Sequence, residues 1–260
     1  MQKGFLLKIY FLGTGTSQGI PVIGSDHPVC LSEDVRDKRL RVSVWIQWDH
    51  DSFIIDCGPD FRQQMLLSKC SKIDALFFTH EHADHTAGLD DIRPFFFKQG
   101  NISIYAHERV LKNLEKRFDY IFEKVDKYPG APSVDEHRVI NGQVIKIKDK
   151  IIEPISVWHG NLQTFGYRLD RFAYLTDVKS IDEEELNKLL GLEVLVINAL
   201  REELHDTHFN LEEALTLIKK VKPKRAYLTH ISHLFGFHEE IQKKLPDNVW
   251  VAYDNLEITI

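Results

Sequence analysis

The chain is 260 residues long, enough for one large domain or two small ones. Its 33 basic and 39 acidic residues leave a net charge of −6, which argues against nucleic acid or an anionic membrane as the main partner. No apolar run approaches the roughly 20 residues of a membrane span. Residues 1–8 lack the apolar core and cleavage site of a leader, and Cys30, Cys57 and Cys70 lack a framework spacing, so a reducing cytoplasm is the expected setting.

Residues 6–12 read as an apolar-rich strand, with residues 1–8 as its start. It runs into Gly13-Thr14-Gly15-Thr16-Ser17-Gln18-Gly19-Ile20-Pro21. This loop lacks the Gly-Lys-Ser/Thr ending of a phosphate loop, and reads as a tight turn that brings backbone close to a site. His27 and Cys30 follow three apart, a chelating spacing with only two soft ligands. Residues 34–41 are charged and expected to be exposed. Residues 42–48 and 52–56 predict a hairpin across Asp49-His50-Asp51, the second strand ending in Asp56. Residues 59–69 predict a helix with Phe61, Met65 and Leu66 on one face.

The stretch that organises the chain comes next. The apolar run Ala75-Leu76-Phe77-Phe78 ends in Thr79-His80-Glu81-His82-Ala83-Asp84-His85. A buried strand thus delivers imidazoles and carboxylates to the loop at its end, and their shared use is to hold a divalent metal. Beyond it, Asp90-Asp91-Ile92-Arg93-Pro94 leads into Phe95-Phe96-Phe97. Residues 102–106 predict a strand, and 108–123 an amphipathic helix with Leu111, Leu114, Phe118 and Ile121 on one face. Pro129 and Pro132 interrupt the pattern. Strands are expected at 144–147 and 151–158, the latter ending in His159, and at 165–169 and 172–176, ending in Asp177. Ser180 and Glu183 have capping-box spacing for a helix reaching 190; a strand covers 192–200. Asn210 and Glu213 cap a helix to Val221, stopped by Pro223. The strand at 225–228 runs into Thr229-His230-Ile231-Ser232-His233, and a helix at 239–245 with strands at 249–252 and 256–260 closes the sequence. With no linker, repeat or low-complexity tract, a single domain over 1–260 is expected.

One regularity needs no second sequence to be seen. Three strands end alike, in Phe78-Thr79-His80, Leu175-Thr176-Asp177 and Leu228-Thr229-His230, and two more end in Asp56 and His159. Strand ends fix side chains more rigidly than loops do. His80, His82 and His159 make one set of three donors, Asp84, His85 and His230 a second, and Asp177 has an oxygen for each. That suits two ions with open positions for water, the catalytic pattern. Two ions about 3.5–4 Å apart can hold a bridging hydroxide and both oxygens of an in-line displacement.

His80-x-His82-x-Asp84-His85 with His159, Asp177, His230 and Asp56 resembles the metallo-β-lactamase superfamily over nearly the whole chain. The resemblance implies an α/β fold, a four-layer αβ/βα sandwich of two mixed sheets. It implies that His80, His82 and His159 hold one ion, that Asp84, His85 and His230 hold the other, that Asp177 bridges, and that Asp56 orients ligands from behind. The segments Gly13 to Pro21, Arg39 to Ser43, Gly88 to Pro94, Thr207-His208 and Thr229 to His233 resemble more narrowly the phosphoribosyl cyclic phosphodiesterase branch. That implies a dinuclear hydrolase of a small or cyclic phosphodiester, with zinc or manganese, in which His208 donates to the leaving oxygen and Asp84 assists. His205 is the rival for His208. A homodimer is a family expectation. The branch also carries a structural zinc knuckle; here its positions read Ser25, His27 and Cys30, with His233, so His27, Cys30 and His233 are the candidate ligands of an additional structural zinc. Thioester or lactone hydrolysis on the same metal pair, tRNA 3′ processing, and a scaffold with a vestigial site are the alternatives.

Overall fold

The computed structural model describes residues 6–260; of the opening stretch read as strand, residues 1–5 lie outside the described residues. Strands run at β1 (Leu7–Gly13), β2 (Ser43–Trp48), β3 (Asp51–Ile55), β4 (Ala75–Phe77), β5 (Ile102–Ala106), β6 (Val134–Arg138), β7 (Ile145–Ile147), β8 (Lys150–His159), β9 (Leu162–Leu169), β10 (Phe172–Tyr174), β11 (Val194–Asn198), β12 (Arg225–Thr229), β13 (Val249–Val251) and β14 (Glu257–Thr259). They form two seven-stranded sheets, each the centre of a compact unit. Among the described residues, no helix is long and apolar enough to cross a membrane.

The first unit comprises the chain up to Leu12, Val42–Val139 and Asn255–Thr259. Its sheet has the order β14-β1-β2-β3-β4-β5-β6. It is mixed: β2 and β3 are antiparallel, whereas β3, β4, β5 and β6 run parallel. Helices Phe61–Ser68, Arg93–Gln99 and Glu108–Arg117 pack Phe61, Met65, Phe95, Val110 and Leu114 against Ile54, Leu76 and Ile104 of the sheet. The edge strand β6 was not legible in the sequence. It is Val-Asp-Glu-His-Arg, largely exposed, so no apolar alternation marks it. The helix expected over 108–123 breaks at Phe118, whose backbone leaves the helical region, and resumes as Asp119–Phe122.

The second unit comprises Gly13–Arg41 and Ile140–Asp254, with Ile260. Its sheet has the order β13-β12-β11-β10-β9-β8-β7. Here β10 to β13 are parallel and β7 to β10 antiparallel. Strand β11 is buried throughout, as a parallel strand covered on both faces should be. Leu186, Ala214, Leu217, Ile218 and Ile241 from the helices form one core with Ile155, Leu195, Ile197 and Leu228 from the strands. Two expectations are corrected. Ser180 does not cap a helix: its backbone pairs with Trp158, and the helix is Glu183–Asn187. The 34–41 segment is not simply exposed, since Asp37 and Arg39 are buried; Asp37 accepts from the Ser32 hydroxyl at 2.6 Å and from the His238 amide at 2.8 Å.

Candidate functional site

In each unit, the parallel strands bring their carboxyl ends to one rim of the sheet, the place where open α/β sheets bind ligands. On the first unit's rim, β3 is followed by Asp56 and β4 by Phe78, Thr79 and His80. On the second, β10 leads to Asp177 and β12 to His230. Strand β8 is antiparallel to β9, which is antiparallel to β10, so His159 at its end joins the same rim.

On the first rim, Asp56 is fully buried, with a left-handed backbone (φ 64°). Its Oδ1 accepts from the Thr79 amide at 2.9 Å; its Oδ2 accepts from the Thr79 hydroxyl at 2.9 Å and from His85 Nδ1 at 2.7 Å. Burial pushes the Asp56 carboxyl up, and His85 and the Thr79 donors pull against it. Because His85 donates through Nδ1, its Nε2 keeps a lone pair directed outward, 3.3 Å from Asp84 Oδ2. His80 Nε2 and His82 Nδ1 face one another at 2.9 Å. The loop closes over Gly88, where a Cβ would come within 2.2 Å of the Gly58 carbonyl, so only glycine fits. Glu81, the acid not counted as a donor, instead binds Arg109 at 2.7 Å.

The second rim follows the same chemistry from scattered positions. His159 donates from Nδ1 to the Thr207 carbonyl at 2.7 Å, which again leaves Nε2 as the acceptor. Asp177 has φ 56°; its Oδ2 accepts from the Thr176 hydroxyl at 2.7 Å. Its Oδ1 lies 3.0 Å from His208 Nε2 and 3.3 Å from His230 Nε2. The Asn198 side chain bonds both the amide and the carbonyl of Val178 and holds this corner. Donor atoms of His159, Asp177 and His208 all lie within 4.8 Å of one another. His208 is thus as close to the donor cluster as a ligand would be. Its Nδ1 is 3.0 Å from the Thr207 hydroxyl and 3.2 Å from His205 Nδ1, so the two rival histidines touch. Burial takes His208 down to about 4, against the pull of Asp177.

Both rims fit divalent metal. Donor atoms 2.9–3.3 Å apart match the edge of a tetrahedron with bonds of about 2.0 Å, which is roughly 3.3 Å. The tautomers imposed on His85 and His159 present nitrogen lone pairs and not N–H groups.

The knuckle residues do not assemble in this way. His27 and His233 pack edge to face at 5.0 Å, His27 Nδ1 accepts from the Val29 amide, and the Cys30 thiol accepts from the Val22 amide. Among the described residues this trio is not one of the convergent donor groups.

Residues 52–231 match the family model described as a beta-lactamase superfamily domain. The crystal structure of a diphosphatase from the PhnP family superposes with a TM-score of 0.91 at 39% identity, covering 98% of this chain and 97% of that one. Among curated proteins, an octanoyltransferase of Porphyromonas gingivalis is 38% identical over 98% of this chain and 52% of its own length. A ribonuclease Z of Methanococcus maripaludis is 30% identical over 72% of this chain and 55% of its own. The chain spans about half the length of these curated relatives. The chain therefore belongs to the beta-lactamase superfamily, in its PhnP branch. Its α/β architecture of two mixed sheets is the one the sequence led us to expect.

Two supporting roles went unread in the sequence. Thr79 and Thr176 belong to the repeated ending, yet their use as hydroxyl donors to Asp56 and Asp177 emerges only from the contacts. The Thr207 carbonyl is backbone and leaves no sequence signal.

Proposed function

We propose that this protein is a metal-dependent phosphodiesterase acting on a small or cyclic phosphodiester. In this reading, as the sequence led us to expect, His80, His82 and His159 would hold one ion and Asp84, His85 and His230 the other, with Asp177 offering an oxygen to each. The observation that carries it is the pair of committed imidazoles, His85 on Asp56 and His159 on the Thr207 carbonyl, in each of which Nε2 is the lone-pair nitrogen. This donor set suits zinc or manganese, and an ion held there would supply polarisation of phosphate oxygens and a lowered pKa for water.

The chain's own residues do the rest. Thr207 donates its hydroxyl to His208 Nδ1, which fixes the Nε2–H tautomer beside Asp177. Burial favours neutral His208, so it acts by hydrogen-bonding the departing oxygen as charge develops there. Asp84 helps to orient the attacking water and to accept its proton.

A second reading is favoured by the relative named a diphosphatase: hydrolysis of a phosphoanhydride in the same geometry. The ribonuclease Z relatives support attack at phosphorus in general. The octanoyltransferase name belongs to a protein of which this chain matches about half, and supports acyl chemistry only weakly. Assaying a bis-aryl phosphodiester, pyrophosphate and an acyl thioester side by side separates them. The proposal requires the diester to turn over fastest, and a faster thioester sinks it.

A further inference from the structure

Arg39, expected on a charged surface, is 3% exposed. Its Nη1 donates to the Thr14 hydroxyl at 2.7 Å and to the Ala252 carbonyl at 2.6 Å, and its Nη2 lies 3.3 Å from His238 Nδ1. The Thr14 hydroxyl in turn donates to Asp254 Oδ1 at 2.7 Å, while Asp254 Oδ2 accepts from the Leu40 amide at 2.6 Å. One hydroxyl therefore bridges a buried cation and a buried anion.

The same loop grips the chain just past His230. The Ile231 amide donates to the Thr14 carbonyl at 2.9 Å, and the Thr16 amide to the Ile231 carbonyl at 3.0 Å. Between them, Gly15 bridges to both Ile231 and Arg41. A Cβ on Gly15 would stand 3.0 Å from Arg39 Cβ and from the Arg39 and Leu40 carbonyls, so the glycine permits this approach. His230 itself has φ 56°. A non-glycine residue persists there only where its surroundings over-determine it. On its C-terminal side, the Thr14–Thr16 clamp does so.

We propose that Thr14, Arg39 and Asp254 are positioning residues for His230: the bridged ion pair locks the glycine loop around Ile231 and so sets the angle at which the imidazole meets a divalent ion. The inference rests on His230 being a metal ligand, as in the function proposed above. None of the three belongs to the convergent donor groups among the described residues. A buried ion pair adds little net stability over apolar packing. Burial opposes ionisation at both ends, taking Arg39 down to about 10 and Asp254 up to about 6. What such a pair supplies is a single geometry. The arrangement also accounts for the Gly13–Pro21 loop and the Arg39 segment, which the metal-ligand set leaves without a task.

The test is zinc titration of metal-free protein against a chromophoric chelator. The parent should take up two equivalents. Thr14→Val keeps the side-chain shape and removes both hydrogen bonds; it should hold the first equivalent normally and bind the second about 10–100-fold more weakly. Arg39→Lys keeps the charge and should fall between parent and Thr14→Val. Leu217→Ala, on the core-facing side of helix Leu211–Val221, is the stability control. It should melt at a lower temperature yet bind both equivalents like the parent. Parental binding by both Thr14→Val and Arg39→Lys overturns the inference, as does an equal loss in Leu217→Ala. A parent that takes up no zinc overturns the metal-centre reading itself, an outcome distinct from either.

Discussion

In the first unit the donors hang from a single loop. His80, His82, Asp84 and His85 follow one strand, and a neighbouring strand locks them through one carboxylate, Asp56. In the second unit His159, Asp177, His208 and His230 come from separate segments, and their supports are a backbone carbonyl, an asparagine and a clamped glycine loop. The first rim is specified locally. The second exists only if the register of β8, β10 and β12 is right. Losing one residue should therefore be a local event on the first rim and a shared one on the second, where one carboxylate oxygen faces two imidazoles.

The largest expected effect sits at that shared oxygen. Asp177→Ala should cut turnover about 10³-fold, the several kcal/mol a metal supplies, and leave at most one ion bound. His82→Ala should lose only one. Two ions retained in Asp177→Ala, measured by metal analysis, would break the contrast. Next comes His208→Ala, expected to lose about 10²–10³-fold in turnover while both ions stay, because it is assigned to the leaving oxygen. An unaltered rate would remove it from the mechanism, and loss of an ion would make it a ligand.

Asp56→Asn tests the locking of the first rim. It should weaken metal binding about 10–100-fold through His85, visible as a lower chelator concentration for half-loss. His159 admits no matching experiment, since its partner is backbone. The smallest effect is on stability. Asn210 forms a capping box with Glu213 and also donates to the Glu202 carbonyl, just after His208. Asn210→Ala should lower unfolding free energy by about 1 kcal/mol. Denaturant melts measure this, and an unchanged midpoint would show that the cap is not needed.

The same contrast explains what was legible in the sequence. His80 to His85 reads as a metal loop because spacing alone carries it. The strand-end placement of His159, Asp177 and His230 was legible through a different signal, apolar runs each ending in His or Asp, and the asparagine cap through its short local pattern. Arg39 was misread because its partners, Thr14, Ala252, His238 and Asp254, are spread across the chain, and a lone arginine in a charged run looks solvated. Ser180 was misread because capping-box spacing is local, whereas its pairing with Trp158 is not. His208 drew attention through resemblance, and only its contacts with Asp177, Thr207 and His205 give it a chemical setting.

Metal held by these histidines and aspartates is proposed to drive hydrolysis at phosphorus. The most direct test is one titration, in which bound metal and turnover of a bis-aryl phosphodiester are measured in the same sample as ions are returned to metal-free protein. No turnover is expected without metal, and full turnover at two equivalents. Diester hydrolysis that persists in metal-free protein, or that saturates with no ion bound, would contradict it.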